Sequence, residues 1–128
     1  MIVVLDASAA YDLLTQGRCE PQIVGARDIL APDLIVSDVL NARWKTARSG
    51  AAVPDIKTTI EFFSRLTLVP AISYAEAAAS LAGRLDHPVY DCLYVAVAQL
   101  EKAKLLTLDR RLLAKLRESR MTKVIRCV

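Results

Sequence analysis

Four aspartates, Asp6, Asp38, Asp91 and Asp109, stand where apolar runs end or where helices should begin. Each alone reads as a helix start, because a carboxylate there accepts from orphan N–H groups and complements the helix dipole. Brought into one pocket they would repel one another when ionised and would need a counter-charge. His87 is the single histidine, and Cys19, Cys92 and Cys127 lack CxxC or Cys–His spacing, so a multi-histidine or thiolate zinc site is excluded. The cation that suits clustered carboxylates is hard and oxygen-seeking, Mg2+ or Mn2+. Such ions stabilise phosphoryl charge and activate water, so the chemistry implied is metal-dependent hydrolysis of a phosphodiester.

Whether the four converge depends on the elements that carry them. Met1–Leu5 is a short apolar run, consistent with a buried strand ending at Asp6, and the helix that follows runs to about Thr15 with Ser8 as its cap. A short helical stretch over 20–27 and a weak strand over 28–31 precede a helix from Asp33 to Arg48. There Asp38 and Asn41, three apart, share a face. A helix over 54–66, a strand over 67–69 and an Ala-rich helix over 73–85 come next, the last with Ser73 and Glu76 placed as a capping box. After Pro88 the stretch Val89–Leu100 is apolar on every side and belongs inside, yet its first turn carries Asp91. A strand over 104–108 ends at Asp109, an amphipathic helix spans 110–118, and a last strand is expected over 122–128. Strands alternating with helices imply a parallel sheet covered on both faces, with a single domain over 1–128. Sites in such folds lie beyond the carboxyl ends of the strands, where strand order reverses. If the first and fourth strands are neighbours, Asp6, Asp91 and Asp109 share that end.

Composition narrows the partners. The chain has 128 residues, 54% of them hydrophobic, with a formal net charge of only +3, but that charge is uneven. From Lys102 to Arg126 basic residues far outnumber Glu118 and Asp109, a distribution that suits a polyanion as well as a solvated helix face. No apolar run reaches the length of a membrane span, and the opening apolar run is too short for a signal peptide, so a cytoplasmic protein with no membrane partner is expected. The three cysteines read as reduced residues of a reducing compartment.

Four segments, in this order, resemble a PIN domain, specifically the ribonuclease toxins of VapBC toxin–antitoxin pairs: MIVVLDASAAYDLL with Asp6 and Ser8, APDLIVSDVLNARWK with Asp38 and Asn41, HPVYDCLYVAVAQ with Asp91, and LLTLDRRL with Thr107 and Asp109. The resemblance covers essentially the whole chain. It implies a Rossmann-like three-layer α/β sandwich whose central parallel sheet has the order 3-2-1-4-5. It also implies an Mg2+- or Mn2+-dependent endoribonuclease acting on transfer or ribosomal RNA to inhibit translation, a homodimer, and a VapB-like antitoxin that occupies the site. One position departs from the family, which usually carries Glu where this chain has Asp38. The carboxylate is thereby drawn back by about one C–C bond, ~1.5 Å. That keeps a second reading open, a catalytically attenuated module that binds antitoxin or RNA without efficient cleavage.

By this reading Asp6, Asp91 and Asp109 are metal ligands, and Asp38 is a fourth catalytic acid that is an outer ligand or positions the attacking water. Ser8, Asn41 and Thr107 are polar neighbours that would hydrogen-bond the carboxylates. Arg110 and Arg111 would contact RNA backbone or antitoxin. Tyr90 and Tyr94 are assigned to the core or a dimer contact, Tyr11 and Trp44 to packing or antitoxin, and His87 to a turn outside the chemistry. A receiver-type phosphorylation switch is disfavoured because Pro70-Ala71-Ile72 follows the third strand, where an acceptor aspartate would be needed. A DNA-directed nuclease of the same fold stays open.

Overall fold

In the computed structural model, residues 1–121 and 123–127 are described. The strands are β1 (Ile2–Leu5), β2 (Asp28–Pro32), β3 (Thr67–Val69), β4 (Lys104–Thr107) and β5 (Val124–Arg126). They form one parallel sheet in the order β3-β2-β1-β4-β5. The helices are α1 (Ala7–Thr15), α2 (Glu20–Ile23), α3 (Ile35–Arg48), α4 (Ile56–Ser64), α5 (Ala75–Leu85), α6 (Val89–Leu100) and α7 (Arg110–Glu118). Val3, Val4 and Leu5 are consecutive and all fully buried. Successive strand residues point to opposite faces, so both faces of the central strand are covered and the architecture has three layers.

The connection from β3 through α5 and α6 passes over β2 and β1 to reach β4. Strand order therefore reverses between β1 and β4, whose register pairs Val4 with Leu105 and Leu5 with Leu106. Asp6 lies one residue beyond that pairing on β1, and Asp109 two residues beyond the end of β4.

Several local expectations fail for identifiable reasons. Ser8 does not cap α1; it lies in the first turn, and Asp6, with extended backbone, accepts from Ala9 N–H at 2.9 Å. The Ser73–Glu76 capping box does not form. Pro70 opens a 3-10 turn over Ala71–Tyr74 in which Ser73 N–H donates to Pro70 C=O, so Ser73 lacks the extended backbone a cap requires, and α5 begins only at Ala75. Helix α6 is buried through its middle but not at its ends, where Val89, Tyr90 and Leu100 are exposed. The last strand is shorter than expected, and Thr122 and Val128, which the sequence assigns to it, lie outside the described residues.

The cysteine expectation is also corrected. Cys19, just before α2, and Cys127, just after β5, form a disulfide, their Cα atoms 4.9 Å apart; Cys92 is a free, buried thiol. That spacing lies in the ordinary disulfide range. A sequence separation of 108 gives no hint of it, because only the folded sheet brings the two segments together.

Candidate functional site

The site is built from the loop ends of β1 and β4 and from two helices that pass them. Asp6 is 6% exposed and both its oxygens are engaged. Oδ1 accepts from Ser8 Oγ at 2.6 Å and from Ala9 N–H at 2.9 Å, and Oδ2 accepts a very short hydrogen bond from Thr107 Oγ1. Ser8 Oγ in turn accepts from Leu108 N–H at 2.9 Å, and Thr107 Oγ1 from Asp109 N–H at 3.0 Å. These bonds knit the end of β1 to the end of β4, which is why Ser8 and Thr107 belong with Asp6.

Asp109 caps α7 with one oxygen: Oδ1 accepts from Arg111 N–H at 2.9 Å and Leu112 N–H at 3.1 Å. Asp91, in the first turn of α6, accepts from His87 Nε2–H at 2.8 Å. Ligand atoms of His87, Asp91 and Asp109 lie within 4.8 Å of one another. Asp38, half-buried on α3, accepts from the Tyr94 hydroxyl of α6 at 2.7 Å. Arg110 and Arg111 are exposed at the start of α7, beside Asp109. Asn41 is exposed one turn from Asp38, and its side chain joins none of the hydrogen bonds among the described residues. The structure groups Asp91 and Asp109 with His87, ties Ser8 and Thr107 to Asp6, and ties Asp38 to Tyr94; Tyr94 is buried in the core, as expected, while the contacts of His87 with Asp91 and of Tyr94 with Asp38 were not anticipated. The spacing of four between His87 and Asp91 was a readable signal, but the intervening Pro88 directed it to a turn. Tyr94 carried no signal, since its partner is 56 residues away.

Electrostatically the carboxylates act as a cluster. Burial raises the Asp6 pKa from 3.8 to about 6 against the pull of its three hydrogen bonds, and the Asp109 charge adds to the rise. Asp91 is also raised, by burial first; its bond to His87 opposes the rise, while the charges of Asp109 and Asp38 add to it. Tyr94 is raised strongly, by burial first and then by Asp38, Asp6 and Asp91, so its hydroxyl keeps its proton and remains a donor. Among the described residues no lysine or arginine forms an ion pair with any of these four aspartates. An oxygen-rich carboxylate group whose one basic partner among the described residues is the His87 imidazole, itself a possible metal ligand, fits a divalent cation.

The Asp6 shift has a testable consequence in metal-free protein. Its folded pKa exceeds its unfolded one, so the native state holds the proton more tightly. Its contribution to stability is complete below about pH 4 and is lost as pH rises through about 6, where the folded protein releases the proton. A shift of this size amounts to roughly 3 kcal/mol. Urea unfolding in a chelator across that range should show the decline, and Asp6→Asn should flatten it. A wild-type profile with no slope there would contradict the assignment.

Carboxylates gathered beyond the β1 and β4 ends of a 3-2-1-4-5 sheet define the class. The chain belongs to the PIN-domain family, whose model matches residues 3–118. It is similar to Ribonuclease VapC3 from Pyrobaculum aerophilum, with 36% identity over 127 residues, 90% of this chain and 95% of that protein. In fold it resembles the crystal structure of PAE2754 from Pyrobaculum aerophilum, with a TM-score of 0.74 and 24% identity over 98% of this chain and 89% of that one. It also resembles a toxin–antitoxin complex from Klebsiella pneumoniae, with a TM-score of 0.71 and 14% identity over 96% of this chain and 95% of that one. At these two identities the likeness is of fold alone.

Proposed function

We propose that this protein is an Mg2+- or Mn2+-dependent endoribonuclease of the VapC type, the toxin of a type II toxin–antitoxin pair, which cleaves transfer or ribosomal RNA in the cytoplasm and so inhibits translation. The observation that carries the proposal is the gathering of Asp91 and Asp109 with His87, their ligand atoms within 4.8 Å of one another, at the β1 and β4 ends where Asp6 is held, with no lysine or arginine ion-paired to these acids among the described residues. The similarity to a protein named Ribonuclease VapC3 supports the reaction, and a fold shared with a toxin–antitoxin complex supports the partner. Among the described residues no helix is long and apolar enough to cross a membrane.

In this reading Asp6, Asp91 and Asp109 hold the metal, which would supply charge stabilisation for the phosphoryl group and a more acidic water. Asp6 is the fixed member, because three donors hold its two oxygens. Asp91 is oriented by His87. Asp38 is an outer ligand or positions the attacking water. Arg110 and Arg111, at the rim, hold the RNA backbone. The antitoxin would cover the exposed Trp44 of α3 and the exposed Ile56 and Ile60 of α4. A homodimer would cover Ile72 and Leu100, whose neighbours Tyr74 and Glu101 are tied by a 2.7 Å hydrogen bond.

The test is cleavage of a total tRNA pool and of ribosomal RNA by purified protein in Mg2+, Mn2+ or EDTA. Discrete fragments that require metal are expected, and no fragments in either metal would count against the nuclease. The half-buried Asp38, shorter than the family's usual Glu, favours the attenuated module as the second reading. A large rise in cleavage on Asp38→Glu would identify the native site as attenuated; no rise would show that aspartate suffices.

A further inference from the structure

We infer that Tyr94 is a positioning residue that acts through Asp38, so that the two function as one unit; this rests on the metal-site reading above. Tyr94 is 1% exposed, in the buried middle of α6, where a tyrosine ring needs only apolar neighbours. Its hydroxyl is another matter, since a buried hydroxyl is costly unless it is hydrogen-bonded. The partner is Asp38 Oδ2 at 2.7 Å, on α3, and no helix or strand hydrogen bond requires this contact. Phenylalanine would fill the same volume without the need for a partner, so the hydroxyl answers to the carboxylate and not to the core.

The consequence lies in the geometry of Asp38. A half-buried aspartate side chain has rotamer freedom, and only one of its two oxygens is tied. Donation by Tyr94 holds Oδ2 toward α6 and leaves Oδ1 as the single oxygen that can turn to the site. The donor itself is rigid, because its ring is packed in the core. Outer partners of this kind typically contribute about ten- to hundredfold in metal affinity or activity.

A double-mutant cycle on Mn2+ affinity, measured by calorimetry, tests the coupling. Tyr94→Phe and Asp38→Asn should each weaken Mn2+ binding, by about tenfold or more. The double variant should bind no more weakly than Asp38→Asn alone. In cleavage, Tyr94→Phe should lower kcat with little change in KM. Melting temperatures of all four proteins report packing separately, and an effect that works only by loosening the core would persist in the Asp38→Asn background. Losses that multiply in the double variant, or a Tyr94→Phe protein that binds Mn2+ as the wild type does, would overturn the inference. A wild type that binds no Mn2+ would instead overturn the metal-site reading on which it stands.

Discussion

Asp91→Asn is expected to reduce RNA cleavage on the order of a thousandfold, because charge stabilisation at a phosphoryl centre is worth several kcal/mol. The expected loss is chemical and not structural. Asparagine keeps the shape and can still accept from His87 through its carbonyl oxygen, so α6 and the Pro88 turn are undisturbed. Removing the charge also removes the repulsion from Asp109 and Asp38 that raises the native carboxyl. The metal-free variant should therefore melt no lower than the metal-free wild type. A cation that binds only the folded protein stabilises it by mass action, about 2.7 kcal/mol at a hundredfold excess over Kd. That metal-induced rise in Tm should shrink or vanish in Asp91→Asn together with cleavage. A variant that cleaves within tenfold of wild type and keeps the Mn2+-induced rise would remove Asp91 from the site and weaken the whole assignment.

Helix capping, weighed above against a role in the site, is compatible with the proposed role for Asp6 and Asp109. Asp109 caps α7 with one oxygen, while its carboxylate also stands within reach of the His87 imidazole and the Asp91 carboxylate. Asp6 caps α1 with an oxygen that Ser8 also holds. The cap is the device that fixes the carboxylate at the end of a strand. A pattern that announces a helix start after an apolar run therefore also places a carboxylate at a strand end, which is why the positions of Asp6 and Asp109 were legible from a single chain. Strand order came from the resemblance to PIN domains; the residues alone gave only a condition, that the runs over 2–5 and 104–107 be neighbours for the acids to meet, and the sheet fulfils it.

What was not legible depends on chain-distant contacts. The Tyr94 hydroxyl and Asp38 are 56 residues apart on two different helices, and an aromatic residue in an apolar helix gives no sign of which way its polar atom points. Ser73 shows the opposite failure, in which a sound local pattern lost to a neighbour. The capping-box spacing is present, but Pro70 imposes a 3-10 turn that consumes the Ser73 backbone.

The Cys19–Cys127 bond is the most distant of these contacts and carries the second large expected effect. Cys19→Ser is expected to destabilise the protein by about 5 kcal/mol, the loop-closure entropy of a crosslink spanning about a hundred residues. For a domain of this size each kcal/mol moves the melting temperature by about 4 °C, so a fall of roughly 15–20 °C follows. The mechanism acts on the unfolded chain, which without the bond regains the freedom of nearly its whole length. The folded site should change little, because Cys19 lies before α2 and Cys127 beyond β5, while the carboxylates are held by the β1 and β4 ends. Dithiothreitol should reproduce the shift in the wild type and leave Cys19→Ser unmoved, whereas kcat measured well below both melting temperatures should agree between the oxidised and reduced proteins. Equal melting temperatures with and without reductant would mean that the crosslink contributes nothing to folding. A parallel loss of cleavage at low temperature would mean instead that tying the segment before α2 to the end of β5 helps hold the acidic site.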